Sequence, residues 1–397
     1  MGISESALEK TSGLTAKLVG GVSDIAAAEW LRVSQADASR KPYNPLISHA
    51  FLTALEDSGC VGGRSGWQPR FLRIERDGAF AGVVPAYLKA HSQGEYVFDH
   101  GWADAFARAG GRYYPKLQVA VPFSPVTGPR LLSAAGQDAD AVRHFSALAL
   151  RAASSQLGAS SAHVTFALEE EAKLLESHDF LLRNDQQFHF QNPGYAKYDD
   201  FLESLVSRKR KALKRERRDA LANDISIVWL TGKGLTERAW DDFFAFYMDT
   251  GSRKWGTPYL NRKFFSLISE RMPDDILLVM AQRNGRNIAG ALNFIGSDRL
   301  YGRNWGCVED HPFLHFEVCY HQAIDFAIER KLSVVEAGAQ GEHKLARGYL
   351  PVKTWSAHYI EHPGLRRAVA DYLVHERAQV DEMVEEVADM GPFRRGE

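Results

Sequence analysis

Ile276-Leu277-Leu278-Val279-Met280-Ala281, then Asn284-Gly285, then Ile288-Ala289-Gly290-Ala291-Leu292-Asn293-Phe294 is the stretch on which the fold turns. Two apolar runs flank an Asn-Gly pair, which takes the positive φ angles of a two-residue turn, so the spacing predicts an antiparallel hairpin. The pattern occurs once before, as Phe71-Leu72-Arg73-Ile74, Asp77-Gly78 and Ala81-Gly82-Val83-Val84. Working outward, Pro258-Tyr259 and a helical stretch with Phe264, Phe265 and Ile268 precede the second hairpin. Pro42-Tyr43 and a stretch with Phe51, Leu52 and Leu55 precede the first. An amphipathic helix over 138–157 leads to the strand-like 163–166, a helical segment 169–175 and a strand 187–190 that reaches Pro193. Its echo is a helix over 313–331, a strand 334–336, a helical segment 342–348 and a strand 357–360 that reaches Pro363. Helix, hairpin, helix, strand, helix, strand occurs twice, which predicts an α+β sandwich-type chain of two tandem halves with mixed, mostly antiparallel sheets. One α/β domain whose generic elements rhyme is the plainer alternative.

The expected organisation is a flexible tail over 1–20, a first domain over 21–195 and a second over 196–397. The second opens with a basic helix at 200–222 and closes with a helix at 364–387. Length agrees, since 397 residues exceed one ordinary domain of ~150. Hydrophobic residues at 45% and charged residues at 25% describe a globular chain with full cores. Forty-eight Lys and Arg against fifty Asp and Glu exclude a generally basic nucleic-acid coat, though not a local patch. Cys60, Cys307 and Cys319 have no metal spacing, which points to reduced thiols, no metal and a cytoplasmic setting. No stretch approaches the ~20 apolar residues of a membrane span, and the first twenty residues lack a signal-peptide core.

Charge gathers in one place. Ser207-Arg208-Lys209-Arg210-Lys211-Ala212-Leu213-Lys214-Arg215-Glu216-Arg217-Arg218 holds eight cations and one acid. Leu202, Leu205, Leu213 and Leu221 give it a helical stripe. Such a helix suits nucleic-acid phosphates, or is a solvated face neutralised by acids elsewhere.

Two phrases concentrate chemistry. The first runs Tyr87-Leu88-Lys89-Ala90-His91-Ser92-Gln93-Gly94-Glu95-Tyr96-Val97-Phe98-Asp99, then Trp102 and Tyr113-Tyr114-Pro115-Lys116-Leu117. Glycines at 94, 101, 110 and 111 break it, so much of it is expected to be loop. Lys89, His91, Glu95, Asp99, Trp102, Tyr114 and Lys116 then read as substrate-binding, or as a structured loop whose aromatics bury area. Arg130, in the stiff loop 122–130, suits a carboxylate or phosphate clamp. The second phrase is Leu314-His315-Phe316-Glu317-Val318-Cys319-Tyr320-His321-Gln322, then Gly338-Ala339-Gln340-Gly341-Glu342-His343-Lys344 and Arg347-Gly348-Tyr349. Glu317 and His321, at i and i+4 on the border of the apolar face, form a carboxylate–imidazole pair able to take an amine's proton, or an ordinary surface pair. Glu342, His343, Lys344 and Arg347 follow a strand end and open a helix, where anions and ligands gather. Lys344 and Arg347 read as anion holders, Glu342 or His343 as proton carriers and Tyr349 as a donor to a leaving group. Capping and surface charge are the alternative for this turn.

On these two phrases the chain resembles the FemAB-like predicted N-acyltransferases, within the GNAT superfamily and related to the Fem-type peptidoglycan-bridge aminoacyltransferases. The resemblance covers about 42–362. It implies two GNAT-like halves and transfer of an acyl or aminoacyl group to an amine, such as that of a cell-envelope precursor. It implies no permanently bound cofactor, with acyl-CoA or aminoacyl-tRNA as co-substrate. By the same resemblance, Arg208 and Arg210 are nearest to residues that hold the phosphates of a nucleotide-linked acceptor. His321 stands where that family usually has tyrosine. The Gln/Arg-x-x-Gly-x-Gly/Ala turn of acyl-CoA users is missing from Gly306-Cys307-Val308-Glu309-Asp310-His311-Pro312-Phe313, which keeps tRNA open as donor. A non-catalytic binding protein on the same fold, or an RNA-binding protein centred on 208–218, are the rival readings.

Overall fold

The computed structural model describes residues 13–34, 43–136, 138–254, 258–338 and 341–394, and the side chains of 252–254 and Glu342 lie outside that description. The chain divides into two compact units. One runs to Asp185 and takes in Thr354–Val380; the other is Gln186–Lys353 with the residues from Asp381 onward. Compared with a cut at 195/196, the units exchange segments, because the last strand of each sequence half completes the other half's ladder.

In the first unit, β1 (Leu14–Val19), β3 (Phe71–Arg76), β4 (Ala79–Val84) and β7 (Leu132–Ser133) form an antiparallel sheet in the order β1-β3-β4-β7. Asp77 and Gly78 turn the hairpin at φ 49° and 81°, as the Asp-Gly pair requires. β1 overturns the expectation of a loose tail for residues 13–20: Leu14↔Arg76 to Val19↔Phe71 is a full ladder. Residues 1–12 lie outside the description. A second ladder joins β2 (Trp67–Pro69), β5 (Ala86–Lys89), β6 (Lys116–Val119), β8 (Ser161–Ala167) and the end of β15 (Tyr349–Ile360). β6 and β8 are parallel and the other pairs antiparallel. Much of the early phrase is loop, as expected: residues 90–99 and 109–115 carry no regular structure, between β5, a helix (His100–Arg108) and β6. The Ala139–Gln156 helix packs Val142, Leu150 and Ala153 onto Ile74, Val84, Leu117 and Val164.

In the second unit the order is β10 (Ile225–Leu230), β11 (Ile276–Arg283), β12 (Arg286–Ile295), β13 (Arg299–Cys307), β14 (Val334–Glu336) and the end of β9 (Leu181–Gln191). β10 to β13 are antiparallel; β13 and β14 run parallel, but only from Arg299↔Val334 to Tyr301↔Glu336. β9 closes the far side of β14 antiparallel. A helical run over 314–329 crosses between the two parallel strands. It packs Val318, Ala323, Ile324 and Ala327 against Val279, Ala291 and Leu300. The basic segment is two helices, Tyr198–Ser204 and Ser207–Ala220, parted by extended residues Leu205 and Val206. The closing helix is Pro363–Asp389. No helix of the described residues is long and apolar enough to cross a membrane.

Candidate active site

β14 ends at Glu336, and the chain then folds into a tight 3₁₀ turn, Glu342–Arg347, before β15 begins at Tyr349. Glycines bracket that turn for steric reasons. Gly341 sits at φ 103°, where a Cβ would lie 2.1 Å from the His343 ring, and Gly348 ends the turn at φ 85° against the Phe201 ring. His343 is exposed, while Lys344 and Arg347 are buried. Lys344 Nζ donates to the Gly338 carbonyl at 3.0 Å and lies 5.8 Å from the Phe188 ring centre. Burial lowers its pKa to about 8, because a low-dielectric site disfavours the ammonium. Among the described residues it has no salt-bridge partner. It stands at the carboxyl end of β14, where α/β sheets gather ligands.

Arg347 is clamped. Its Nε and Nη2 donate to Glu216 at 2.8 and 2.6 Å, its guanidinium stacks 3.4 Å from the Phe316 ring centre, and its Nη1 donates to the His343 carbonyl. The His343 Nε2 lies 3.0 Å from the Tyr320 hydroxyl. Tyr349 is fully buried, donates its hydroxyl to the Tyr320 carbonyl at 3.1 Å, and has its phenol pushed well up by burial. That hydroxyl braces the helix beneath the turn. Ala339 and Gln340 of this phrase, and the Glu342 side chain, lie outside the described residues.

The helix below departs from the regular α-helix expected over 313–331. It opens with one turn, Leu314–Phe316, widens into a π-turn over Glu317–His321 and continues as Gln322–Glu329. Glu317 and His321 consequently do not pair with each other. Glu317 is fully buried and accepts from Arg217 Nη2 at 2.8 Å, Arg217 Nε at 3.1 Å and Gln322 Nε2 at 2.7 Å. Arg217 also reaches Asp325 at 2.6 Å. Burial lowers the Arg217 pKa, but the Glu317 and Asp325 carboxylates outweigh it and hold the guanidinium charged. His321 is buried between the Tyr198 hydroxyl, 2.6 Å from Nδ1, and Glu216 Oε1, 2.8 Å from Nε2. The pair read from sequence as one catalytic dyad is thus two separate ties to the helices at 198–220.

Beside the turn, a cavity of about 540 Å³ opens between Asp249, Thr250, Trp305 and the loop 307–316. His315 and Phe316 line it and also face the His343 ring at centroid distances of 6.2 and 5.4 Å. Among the described residues its charged lining is Asp249, Glu309 and Asp310, with His311 and His315, and no Lys or Arg.

Apart from Arg217 and the half-buried Arg210, the basic helix points its cations outward. Arg208, Lys211, Arg215 and Arg218, spaced three and four apart, are exposed on one face with Lys214 beside them, and Arg210 is half-buried. Lys214 pairs with Asp199 and Arg218 with Asp219, while Arg208, Lys211 and Arg215 have no ion-pair partner among the described residues. Leu213 and Ala220 face inward.

In the first unit the structure does bring the early phrase together, as a buried network. Lys116 Nζ donates to Ser92 Oγ, Glu95 Oε1 and Asp99 Oδ2 at 2.8, 2.8 and 2.6 Å. Lys89 Nζ donates to Glu95 Oε2 at 2.9 Å and lies 3.5 Å from the Trp67 ring centre. Tyr113 donates to Asp99 at 2.6 Å, His163 Nδ1 meets His358 Nδ1 at 2.7 Å, and Trp102 meets the His358 ring edge-on. Tyr114 donates to Ser92 at 2.8 Å, and His91 Nε2 lies 3.0 Å from the Ser65 carbonyl. Burial lowers Lys89 to about 7 and His163 to about 3. Burial raises Asp99, but the Lys116 ammonium prevails and holds it well below the usual carboxylate range. Lys89 and Lys116 are 0 % and 1 % exposed, so both ammonium groups are spent inside the fold. Arg130 is likewise buried, with Nε on the Thr165 carbonyl at 3.0 Å and its other nitrogens on the carbonyls of Val126, Gly128 and Pro129. It staples its own loop.

Glu216, Arg217, Tyr198, His163 and His358 escaped the sequence reading. For Glu216 a signal existed: it is the lone acid in a run of cations, which predicts a buried partner.

The chain is similar in fold to several solved structures. FemX is 11% identical over 90% of this chain and 100% of its own, at a TM-score of 0.50. The C-terminal domain of a putative lysylphosphatidylglycerol synthetase from Agrobacterium fabrum is 8% identical over 88% and 96%, at 0.51. A tandem GNAT protein from the clavulanic acid biosynthesis pathway is 12% identical over 88% and 99%, at 0.45. No curated protein matches the chain. The FemAB-like family, described as peptidoglycan biosynthesis/recognition, matches residues 21–395. That span takes in both GNAT-like halves, the basic helix and the Lys344 turn: the chain belongs to the FemAB-like family and is an acyltransferase.

Proposed function

We propose that the second unit performs the transfer, with Lys344 as the charge at the reacting carbonyl. The acceptor amine attacks the donor's carbonyl carbon, the C=O electron pair moves onto oxygen, and the Lys344 ammonium meets the oxyanion. The amine's proton passes to the exposed His343 imidazole, steadied by Tyr320; the oxyanion then re-forms the C=O as the bond to the leaving oxygen or sulfur breaks, and His343 returns its proton to that atom. The observation that carries this reading is the burial of Lys344 at the end of β14 without a carboxylate partner among the described residues. Glu317 and His321 are given scaffold roles, since their polar atoms are committed to Arg217, Gln322, Tyr198 and Glu216.

For the donor we favour a charged tRNA over acyl-CoA. The loop 306–313 lacks the glycine-rich phosphate turn, and among the described residues no Lys or Arg lines the adjoining cavity to meet a diphosphate. The outward cations of the basic helix suit RNA phosphates, or those of a nucleotide-linked acceptor through Arg208 and Arg210. The acceptor class is the amine of a peptidoglycan precursor, and the setting is cytoplasmic. The decisive experiment offers the pure protein charged tRNAs or acyl-CoA thioesters together with such an acceptor. Transfer from tRNA, lowered about 10²–10³-fold in kcat for Lys344→Met, is expected. Full turnover by Lys344→Met, or turnover with neither donor, ends the proposal.

A further inference from the structure

The basic helix carries one acid turned toward the protein. Glu216 Oε1 accepts from both His321 Nε2 and Arg347 Nε at 2.8 Å, and Oε2 accepts from Arg347 Nη2 at 2.6 Å. Burial raises the Glu216 pKa, but the hydrogen bonds from His321 and Arg347 outweigh it and keep the carboxylate ionised. The next residue, Arg217, grips Glu317 and Asp325. Adjacent side chains of one helix therefore hold the first and last residues of the π-turn. Through Glu216 the same helix holds the catalytic turn as well.

We propose that Glu216 is a positioning residue, tying the basic helix to the Lys344 turn through Arg347. The inference rests on the reading of Lys344 given above. In a 3₁₀ turn, residues three apart eclipse, so Arg347 and Lys344 share one face, and fixing one fixes the direction of the other. The turn is also held by Lys344 on the Gly338 carbonyl, His343 on the Tyr320 hydroxyl and Leu345 against the core, but of its side chains Arg347 alone meets the basic helix among the described residues, and glycine stands at each end. Arg347 is wedged between the Phe316 ring and the Glu216 carboxylate. Without the carboxylate that wedge is open on one side, and the Lys344 ammonium no longer has a set place. A polyanion gathered on the outer face of the helix is thereby linked to the turn on its inner side, by one side chain.

The test compares Glu216→Gln and Glu216→Asp with the native protein, by amide hydrogen exchange and by transfer kinetics. Glu216→Gln is expected to speed exchange about tenfold or more at 342–349, with residues 276–295 of the hairpin unchanged. It is expected to lower kcat about 10–100-fold with KM within about threefold, because misplacement by about an ångström has that cost. Glu216→Asp, which keeps the charge, should recover most of both losses. Unchanged exchange at 342–349 overturns the proposal. So does a uniform rise across the unit, which marks plain loss of stability. If the turn loosens as expected while Lys344→Met retains full turnover, the tether stands and the transfer reading falls.

Discussion

Among the described residues three lysines, Lys89, Lys116 and Lys344, are buried, and they are buried differently. Lys116 meets two carboxylates and Lys89 one, whereas Lys344 meets a carbonyl. Removing a partner from a buried ionic network leaves an uncompensated charge, so Lys116→Met, which strands Asp99 and Glu95, should destabilise the protein by about 3–5 kcal/mol. Urea unfolding measures it. Lys344→Met removes a charge that has no counter-ion among the described residues, and should leave the urea midpoint nearly unmoved while turnover collapses. Two histidines give the first unit a pH signature. His163 is held to about 3 and His358 well below its ordinary value, both by burial first, so the folded protein keeps them neutral. Below about pH 6.5 the unfolded chain takes up protons there that the fold refuses. Stability must then fall as pH drops from 6.5 toward 3, by up to about 1.4 kcal/mol per pH unit for each ring. Asp99 adds the same sign below its usual range, since its folded pKa is depressed. Lys89 extends the trend upward: with a folded pKa of about 7 against 10.5 when free, it makes stability rise across that interval. Urea titrations of the native protein and His163→Gln should diverge between pH 6.5 and 4, with the variant's slope shallower.

The elements divide by how local their causes are. The hairpins were legible because Asp77-Gly78 and Asn284-Gly285 dictate their own turns. The helix over 139–156 was legible as an amphipathic run, and its buried face carries Val142, Leu150 and Ala153. The π-turn was not, since nothing in Glu317–His321 breaks a regular pattern; its ends are held by partners on two other helices, Tyr198 on one and Glu216 and Arg217 on the next. Nor was β1, whose alternate Leu14, Ala16 and Leu18 look like a polar tail until Phe71–Arg76 is beside them. Of the candidate site, the residue types were legible and the partners were not: Lys89, Glu95 and Lys116 were grouped correctly, but their mutual neutralisation is a property of packing. For the basic helix the outward face predicts a clean separation of effects. Lys211→Glu with Arg215→Glu should change stability by no more than about 0.5 kcal/mol, as exposed substitutions do. It should weaken polyanion binding and flatten its salt dependence by about one unit of slope for each phosphate no longer neutralised. Binding isotherms at several salt concentrations, beside a thermal melt, separate the two.

At the scale of the whole molecule, the exchange of segments makes neither half of the sequence self-sufficient. β8 needs Trp355 to Ile360 as its antiparallel neighbour, and β14 needs His189 to Gln191. A fragment ending at residue 195 lacks that ladder for β8, together with Leu365, Val369 and Leu373, which pack on Trp102 and Tyr113. Such a fragment should be insoluble or molten, and adding 354–380 through a flexible linker should restore cooperative unfolding. Near-ultraviolet circular dichroism distinguishes these outcomes. The exchange also imposes a waiting time during synthesis. Ala167 leaves the ribosome about 190 residues before its partner Trp355, which at ~5–20 residues per second is about 10–40 seconds. For that interval one side of β8 is an open strand edge in a crowded cell, a template for pairing with any passing chain. A cell making this protein must either shield that edge or translate quickly through the second half.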